Sequence, residues 1–544
     1  MKIQQIVKAA ALVFAAALWG CAGNRGSYEH PVVETSAGRV QGFIDDSVAV
    51  FKGVPYAEAE RFMPPHEPAK WDTVMMCTHF GDIAPQPPVH AASCYIPSDT
   101  LAHMGEDCLN LNIWTPVRRA TSGRPVMVWL HGGAFDYGSS HQHLTFDGKS
   151  LARTDDVVIV TLNHRLNALG FLDLSAYGTK YAESGNLGML DILQALKWIK
   201  ANIAAFGGDP DNITLFGHGS GGVKVMTLMA MPEAKGYYHK VIIQSGTLEG
   251  MYQHPDVSRR IAELTMKEAN ADSPEALARL PFDSLWAASN RAIDRIYGER
   301  PGIVHGSVKF APVVDGNILP KPIFSDSAIN VDADVPVIIG STFSEFTTSE
   351  MLLEPDRHDV TGIYEMTEEE VEAEFDKRYG TKKDDIKLAF AMAYPDRAMR
   401  ELLMMDTKVR SLVLRIAHMF AQRRDAPVYV YMFSWVSPLY KGSAMSFRCS
   451  ELPFMFNNYD LAEFSKAGGE EARRLSRIMS RCWTSFARSG NPNNSITPFW
   501  RRINLGDGHT MVFDAETHLE SYPDLRLMKL LEPENVKDIV LNNE

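Results

Sequence analysis

Beyond its N-terminal region the chain has no unbroken apolar run of the ~18 residues that a helical membrane span requires. It has no C-x-x-C pair and no histidine cluster, so neither a metal site nor a cofactor is expected. It also lacks a basic surplus. The net charge of −13 is diffuse and argues against a nucleic-acid partner. No repeat, low-complexity tract or long linker interrupts the chain after about residue 30, so one continuous folded region is expected over 31–535, followed by a short tail, 536–544. Cysteine is sparse, at six in 544 residues.

What is present is globular in character. Hydrophobic residues make up 45% and charged residues 22%, enough to bury a large core. At the N-terminus, Lys2 and Lys8 precede an apolar run, Ala9 to Trp19, that is too short for a bilayer and has the form of a signal peptide. It ends in Leu18-Trp19-Gly20-Cys21. Small residues ahead of a cysteine resemble a bacterial lipobox, after which Cys21 would carry lipid. Ordinary signal cleavage nearby is the alternative. The expectation is therefore a leader over 1–20, a tether over 21–30, and an exported protein held to the bacterial envelope by lipid alone. Ala22 carries no obvious retention signal, which favours the outer membrane. An odd number of cysteines remains: Cys77, Cys94, Cys108, Cys449 and Cys482. At least one must then stay unpaired within the chain. Cys94 and Cys108 form the plausible local bridge; isolated buried thiols are the equal alternative.

The runs VMVWL (126–130), VVIVTL (157–162), ITLF (213–216), VIIQ (241–244), VPVIIG (335–340) and VYVYMF (428–433) are almost wholly apolar, as in strands buried on both faces of a parallel sheet. Between the second and third, Leu190, Leu193, Leu196, Ile199 and Ile203 repeat at helical spacing. FGGDPDN (206–212) then ends the helix and leads into the next strand. Strand, helix, strand in this order predicts an α/β fold. Residues 250–430 are more helical and read as insertions over the sheet. Ser273-Pro274 is a helix start, Thr367 with Glu370 is a capping box, and Met404, Met405 and Met419 fall in a helical pattern over 399–421.

The stretch TLFGHGSGGVKV (214–225) carries two patterns. Gly217, Gly219 and Gly222 spell the dinucleotide fingerprint G-x-G-x-x-G. That reading needs an acidic residue at the end of the next strand to hold a ribose hydroxyl. The next strand ends in Gln244-Ser245-Gly246, so the fingerprint fails. The other pattern is a nucleophile elbow, G-x-S-x-G, that has lost its serine.

Other segments decide for the elbow. FKGVPYA (51–57), RFMPP (61–65), GEDCLNLNIWTP (105–116), HGGAF (131–135), NLGMLD, ANIAAFGGDPDNITLFG, FAPVVDG and SFARSGNPN (485–493) follow one another in an order that resembles the type-B carboxylesterase and cholinesterase family over about residues 31–515. The resemblance implies an α/β-hydrolase fold, with a mostly parallel sheet, helices on both faces and a large helical insertion. It also sets the frame of the triad. The nucleophile position falls on Gly219, the acid on Glu345 of GSTFSE, and the base on Arg448 of FRCSELPFMF. The oxyanion-hole donors implied are the backbone N–H groups of Gly133, Ala134 and Ser220.

Glycine offers no nucleophile, and arginine, with a pKa above about 12, accepts no proton at neutral pH. Glycine does relieve the strained elbow backbone, and Arg448 beside Glu345 is placed for an ion pair. The expectation is a protein that binds a small carboxylate- or ester-like ligand with little or no hydrolysis. A pocket simply plugged by the ion pair is the alternative. Two further readings stay open: an active hydrolase using Ser220 or a remote histidine, and an adhesion or interaction module. A neighbour of the elbow tip points away from the pocket, which weighs against Ser220. His218 is expected as a polar neighbour of the elbow. His131, His141, His143, His305 and His358 are expected as ordinary histidines.

Overall fold

The computed structural model describes residues 30–87, 102–118, 123–246, 252–298, 309–325, 328–329, 334–345, 362–423, 425–504 and 506–539. Cys21 and the leader, Cys94, His305 and His358 lie outside the described residues.

One large sheet organises the chain. Its strands are β1 (Phe43–Asp45), β2 (Val48–Pro55), β3 (Asn110–Pro116), β4 (Arg124–Leu130), β5 (Val158–Leu162), β6 (Gly208–His218), β7 (Lys240–Gln244), β8 (Val337–Thr342), β9 (Val428–Phe433), β10 (His509–Phe513) and β11 (His518–Ser521). They lie in the order β11-β10-β9-β8-β7-β6-β4-β5-β3-β2-β1. Every pairing from β5 across to β10 is parallel, and the pairs at both flanks are antiparallel. The six apolar runs are the neighbouring strands β4 to β9, which need apolar side chains on both faces because helices cover both.

Residue alternation along β4 shows the two layers. Val126, Val128 and Leu130 enter one core with Leu193, Leu196 and Ile199 of helix α1 (Leu187–Asn202). Met127 and Trp129 enter the opposite core, with Met479, Trp483 and Phe486 of the long helix Gly469–Ser489. After α1, Gly207 turns the chain at φ 82° and β6 begins at Gly208, earlier than the apolar run alone suggests.

The helical insertion largely follows expectation. Ser273 Oγ caps Ala276 N–H at 3.2 Å, and Thr367 with Glu370 makes the reciprocal capping box. The single helix expected over 399–421 is instead a short 3₁₀ turn, Met399–Leu403, and a separate helix, Lys408–Arg423. Asp406 lies between them, its carboxylate accepting the N–H of Arg410 at 3.0 Å at the start of the second helix. A third core joins this insertion to the helix Leu525–Leu531. Val536 and Ile539 are buried in it, so the packed chain runs past the expected boundary at 535. Of the two alternatives for Cys108, a local bridge or an isolated buried thiol, the structure has the second: Cys108 is fully buried outside any disulfide. Among the described residues, no helix is long and apolar enough to cross a membrane.

Candidate active site

The C-terminal ends of β6, β8 and β9 converge on one spot. β6 ends at His218, Gly219 turns at φ 60° and ψ −124°, and helix α2 (Ser220–Ala230) starts at the next residue. This is the strand–turn–helix of a nucleophile elbow. The surrounding glycines are there for close packing. A Cβ on Gly217 would sit 2.5 Å from the Gly221 backbone, one on Gly221 would strike the carbonyl oxygen of Leu130, and one on Gly222 would come within 2.9 Å of Gly246. These contacts account for the G-x-G-x-x-G spacing without any phosphate.

Glu345, just past β8, is fully buried. Its carboxylate accepts the N–H of Thr342 at 2.9 Å and the hydroxyl of Ser245, a residue held at φ 48° just after β7. Arg448 comes from the loop after β9, where Phe447 bridges to Ser344. Its Nη1 donates to Glu345 Oε2 at 2.6 Å, and its Nη2 donates to the carbonyl of Ser245 at 3.3 Å. Burial alone would lower the guanidinium pKa, but Glu345 first, together with Cys449 and Glu451, more than offsets it and holds Arg448 charged. The ion pair expected from the sequence is thus formed.

Gly219 and Arg448 are also sterically dependent on each other. A Cβ on Gly219 would lie 2.6 Å from Arg448 Nη2. The guanidinium occupies the space into which a serine side chain at this position would project.

The donor loop is formed, with a backbone unusual enough to mark it. Gly133, Ala134 and Phe135 have φ of 98°, 53° and 61° in succession. The expectation that all three donors are spared needs correction. The Ala134 N–H donates to Ser220 Oγ at 2.8 Å, so this hydroxyl fills one position of the hole. This bond also shows where Ser220 points: toward the loop, with the residue 3% exposed. Among the described residues no histidine is hydrogen-bonded to it.

The other histidines are engaged elsewhere. His131 contacts its neighbour's carbonyl, that of Gly132, at 2.8 Å and stacks on His164 at 5.0 Å. His141 stacks on Phe80 at 4.1 Å. His143 is pushed down to about 4 by burial. His218 is buried beside the elbow, and burial, then Arg448, depress its pKa well below the usual imidazole range. Its Nδ1 lies 3.4 Å from Cys449 Sγ, and its Nε2 lies 3.7 Å from Glu451 Oε1.

Four groups at the site carry no signal of their role in the sequence. Ser245 appears there only as the missing ribose ligand. Cys449 and Glu451 lie in the stretch that supplies Arg448 but carry no spacing signal of their own. Lys224, fully buried in α2, donates to the carbonyl of His131 at 2.8 Å, and burial lowers its pKa to about 7. A cavity of about 770 Å³, lined by Phe51, Thr115, Arg124 and Phe206, opens at the opposite, N-terminal ends of the parallel strands and touches none of these groups.

Comparison with known proteins accords with this geometry. The carboxylesterase family model matches residues 29–530. The chain is 34% identical over 510 residues to the para-nitrobenzyl esterase of Bacillus subtilis strain 168, covering 93% of this chain and 99% of that one. It is 30% identical to the phenmedipham hydrolase of Pseudarthrobacter oxydans, covering 89% and 95%. Among solved structures, an esterase from anaerobic Clostridium hathewayi, described as able to hydrolyse aliphatic aromatic polyesters, superimposes with TM-score 0.79 at 33% identity over 93% of this chain and 98% of that one. The chain belongs to the carboxylesterase family and has its α/β-hydrolase fold.

Proposed function

We propose that this member does not turn over esters by the family's serine route, and that it works by holding an ester-like ligand at the elbow. The observation that carries this reading is the Arg448 guanidinium, which stands 2.6 Å from where a Gly219 side chain would begin. Nucleophile and base are absent together, and the residue replacing the base fills the space of the nucleophile. In a serine triad, loss of a member leaves only about 10³–10⁴-fold catalysis over water, from oxyanion donors and binding. Here one of those donors is also engaged.

The same contacts choose between ligand types. Glu345 already neutralises the Arg448 charge, and both Nη atoms of Arg448 are hydrogen-bonded. A free carboxylate would have to compete with Glu345 for the guanidinium. The N–H groups of Gly133 and Ser220 favour a neutral carbonyl such as that of an ester or amide. An adhesion role has no comparable contact in its favour. Export as a lipoprotein through Cys21 belongs to the same proposal; Cys21→Ser should release the chain from the envelope fraction.

The experiment is a steady-state p-nitrophenyl ester assay. The parent chain, Gly219→Ser alone and Arg448→His alone should all stay at background, and the double variant should gain turnover. Sustained turnover by the parent, abolished by Ser220→Ala, would instead establish the active Ser220 reading.

A further inference from the structure

A second set of reactive groups lies directly beside the silent elbow. Cys449 follows Arg448 at φ 74°, and its side chain meets the end of β6. Its sulfur lies 3.4 Å from His218 Nδ1, a contact within the range of a sulfur hydrogen bond. The far nitrogen of that ring is 3.7 Å from Glu451 Oε1. Glu451 is fully buried, with Oε1 accepting Gln244 Nε2 at 3.2 Å and Oε2 without a hydrogen-bond partner. Thiol, imidazole and carboxyl are therefore neighbours, with the thiol half-buried and the other two groups buried, and His218 Nε2 has Glu451 beside it but no hydrogen bond. A nucleophile within reach of a base, with the base oriented by a third group, is the general layout of covalent acyl transfer.

We propose that Cys449 is a nucleophilic thiol, with His218 as its base and Glu451 as the positioning residue, and that it accepts an acyl group from activated esters. In this step the Cys449 sulfur attacks the ester carbonyl, and the thiol proton passes to His218 Nδ1. A C–S bond forms and the C–O bond to the alcohol breaks, leaving S-acyl-Cys449. The departing alkoxide takes the proton from His218 or from water. No oxidant or cofactor enters the balance.

The surroundings suit this chemistry. The depressed pKa of His218 keeps its imidazole neutral in the resting chain. The Arg448 guanidinium is close enough to Cys449 for the two to interact electrostatically. The remaining described cysteines do not compete: Cys77 and Cys482 are pushed up to about 12 by burial, and Cys108 higher still by the same cause.

The inference does not depend on the silence of the serine route, and one experiment separates the two. The full chain is mixed with excess p-nitrophenyl acetate, quenched in acid and mapped by peptide mass spectrometry while p-nitrophenolate release is followed. The expected result is one equivalent of p-nitrophenolate, then a plateau, with the acetyl group on Cys449. Continued release that persists in Cys449→Ala would refute the silent-serine reading without touching this one, whereas continued release lost in Cys449→Ala would be hydrolysis of the thioester. Cys449→Ala should abolish the burst. His218→Asn should slow acetylation of Cys449 by about 10²-fold or more, the usual contribution of a general base. Glu451→Ala should slow it as well, and Glu451→Gln, which keeps the side chain's length and an oxygen beside Nε2, should regain rate. An unchanged Cys449 rate in a folded His218→Asn chain overturns the proposal. Should that variant fail to fold, the parent decides: acetylation of Cys449 no faster than that of N-acetylcysteine at the same pH overturns it too.

Discussion

Restoring the triad should not by itself restore a full esterase, because Ser220 still fills part of the oxyanion hole. The test starts from the double variant Gly219→Ser/Arg448→His and adds Ser220→Ala. In the parent, Ser220 Oγ accepts the Ala134 N–H at 2.8 Å, close to where a tetrahedral oxyanion would accept it. Two limits bound the gain from removing that hydroxyl. If it swings aside at no cost beyond its hydrogen bond, the penalty is the net value of that bond, about 0.5–1.5 kcal/mol, or roughly 2–13-fold in rate. If it stays in place, one donor is lost outright, which costs about 10²–10³-fold in kcat. Ser220 is 3% exposed at the first position of α2, with little room for a second rotamer, so the result should lie above the lower limit. The expected outcome is at least about a tenfold rise in kcat for p-nitrophenyl acetate on adding Ser220→Ala, with KM little changed, because the donor acts on the transition state. In the parent, which has no serine at 219, the same substitution should leave turnover at background. A neutral or harmful effect in the restored chain would show that the hydroxyl does not compete for the donor.

Three further outcomes follow from the same contacts. Gly219→Ala should destabilise the fold, by about 1–3 kcal/mol from the left-handed backbone and more from the clash with Arg448 Nη2; combining it with Arg448→Ala in urea melts should reveal a coupling of about 0.5–3 kcal/mol, and additive effects would remove the steric link. Glu345→Gln leaves the guanidinium without its counter-charge; breaking a buried pair costs about 3–5 kcal/mol, and the lower end is expected because the Arg448 side chain keeps 17% exposure. Glu451 is raised from an ordinary 4.5 to about 8, by burial first and then by repulsion from Glu345. The folded state therefore holds a proton that the unfolded chain has lost, so stability from this group is complete below about 4.5 and declines as pH rises to about 8. Glu451→Gln should flatten that decline in thermal melts taken across the window, and an unchanged slope would contradict the assignment.

Most of the architecture was legible because it is written in local patterns. Strands β4 to β9 announce themselves as apolar runs, since burial on both faces leaves no polar alternation to blur them. The flanking strands β1 and β11 are short and partly exposed, and they carry no such mark. The break at Asp406 was missed because the apolar spacing continues across it, while the carboxylate that caps the next helix gives only a one-residue signal. The triad frame was legible through family resemblance, which places residues one at a time. What resemblance does not supply is the way the replacements fit together. Ser220 and Ala134 are 86 positions apart, and their hydrogen bond exists only because a loop with three successive left-handed residues folds back over the elbow.

Considered singly, glycine at 219, serine at 220 and arginine at 448 are three separate losses. In space they form one interlocking group around Glu345 and the donor loop. Arg448 occupies the space that the missing Cβ leaves, its charge is held by the retained acid, and the Ser220 hydroxyl satisfies a donor that has no oxyanion to bind. Each replacement is accommodated by another, so reverting any one meets a steric or electrostatic obstacle raised by its neighbours. A serine put back at 219 meets a guanidinium, and an alanine at 220 frees a donor at an elbow with no serine nucleophile. Random point reversion of this chain toward ester hydrolysis should therefore yield no active single variants, whereas libraries that vary positions 219, 220 and 448 together should yield them. A single substitution at any of the three that confers serine-dependent turnover would break the interlock on which this account rests.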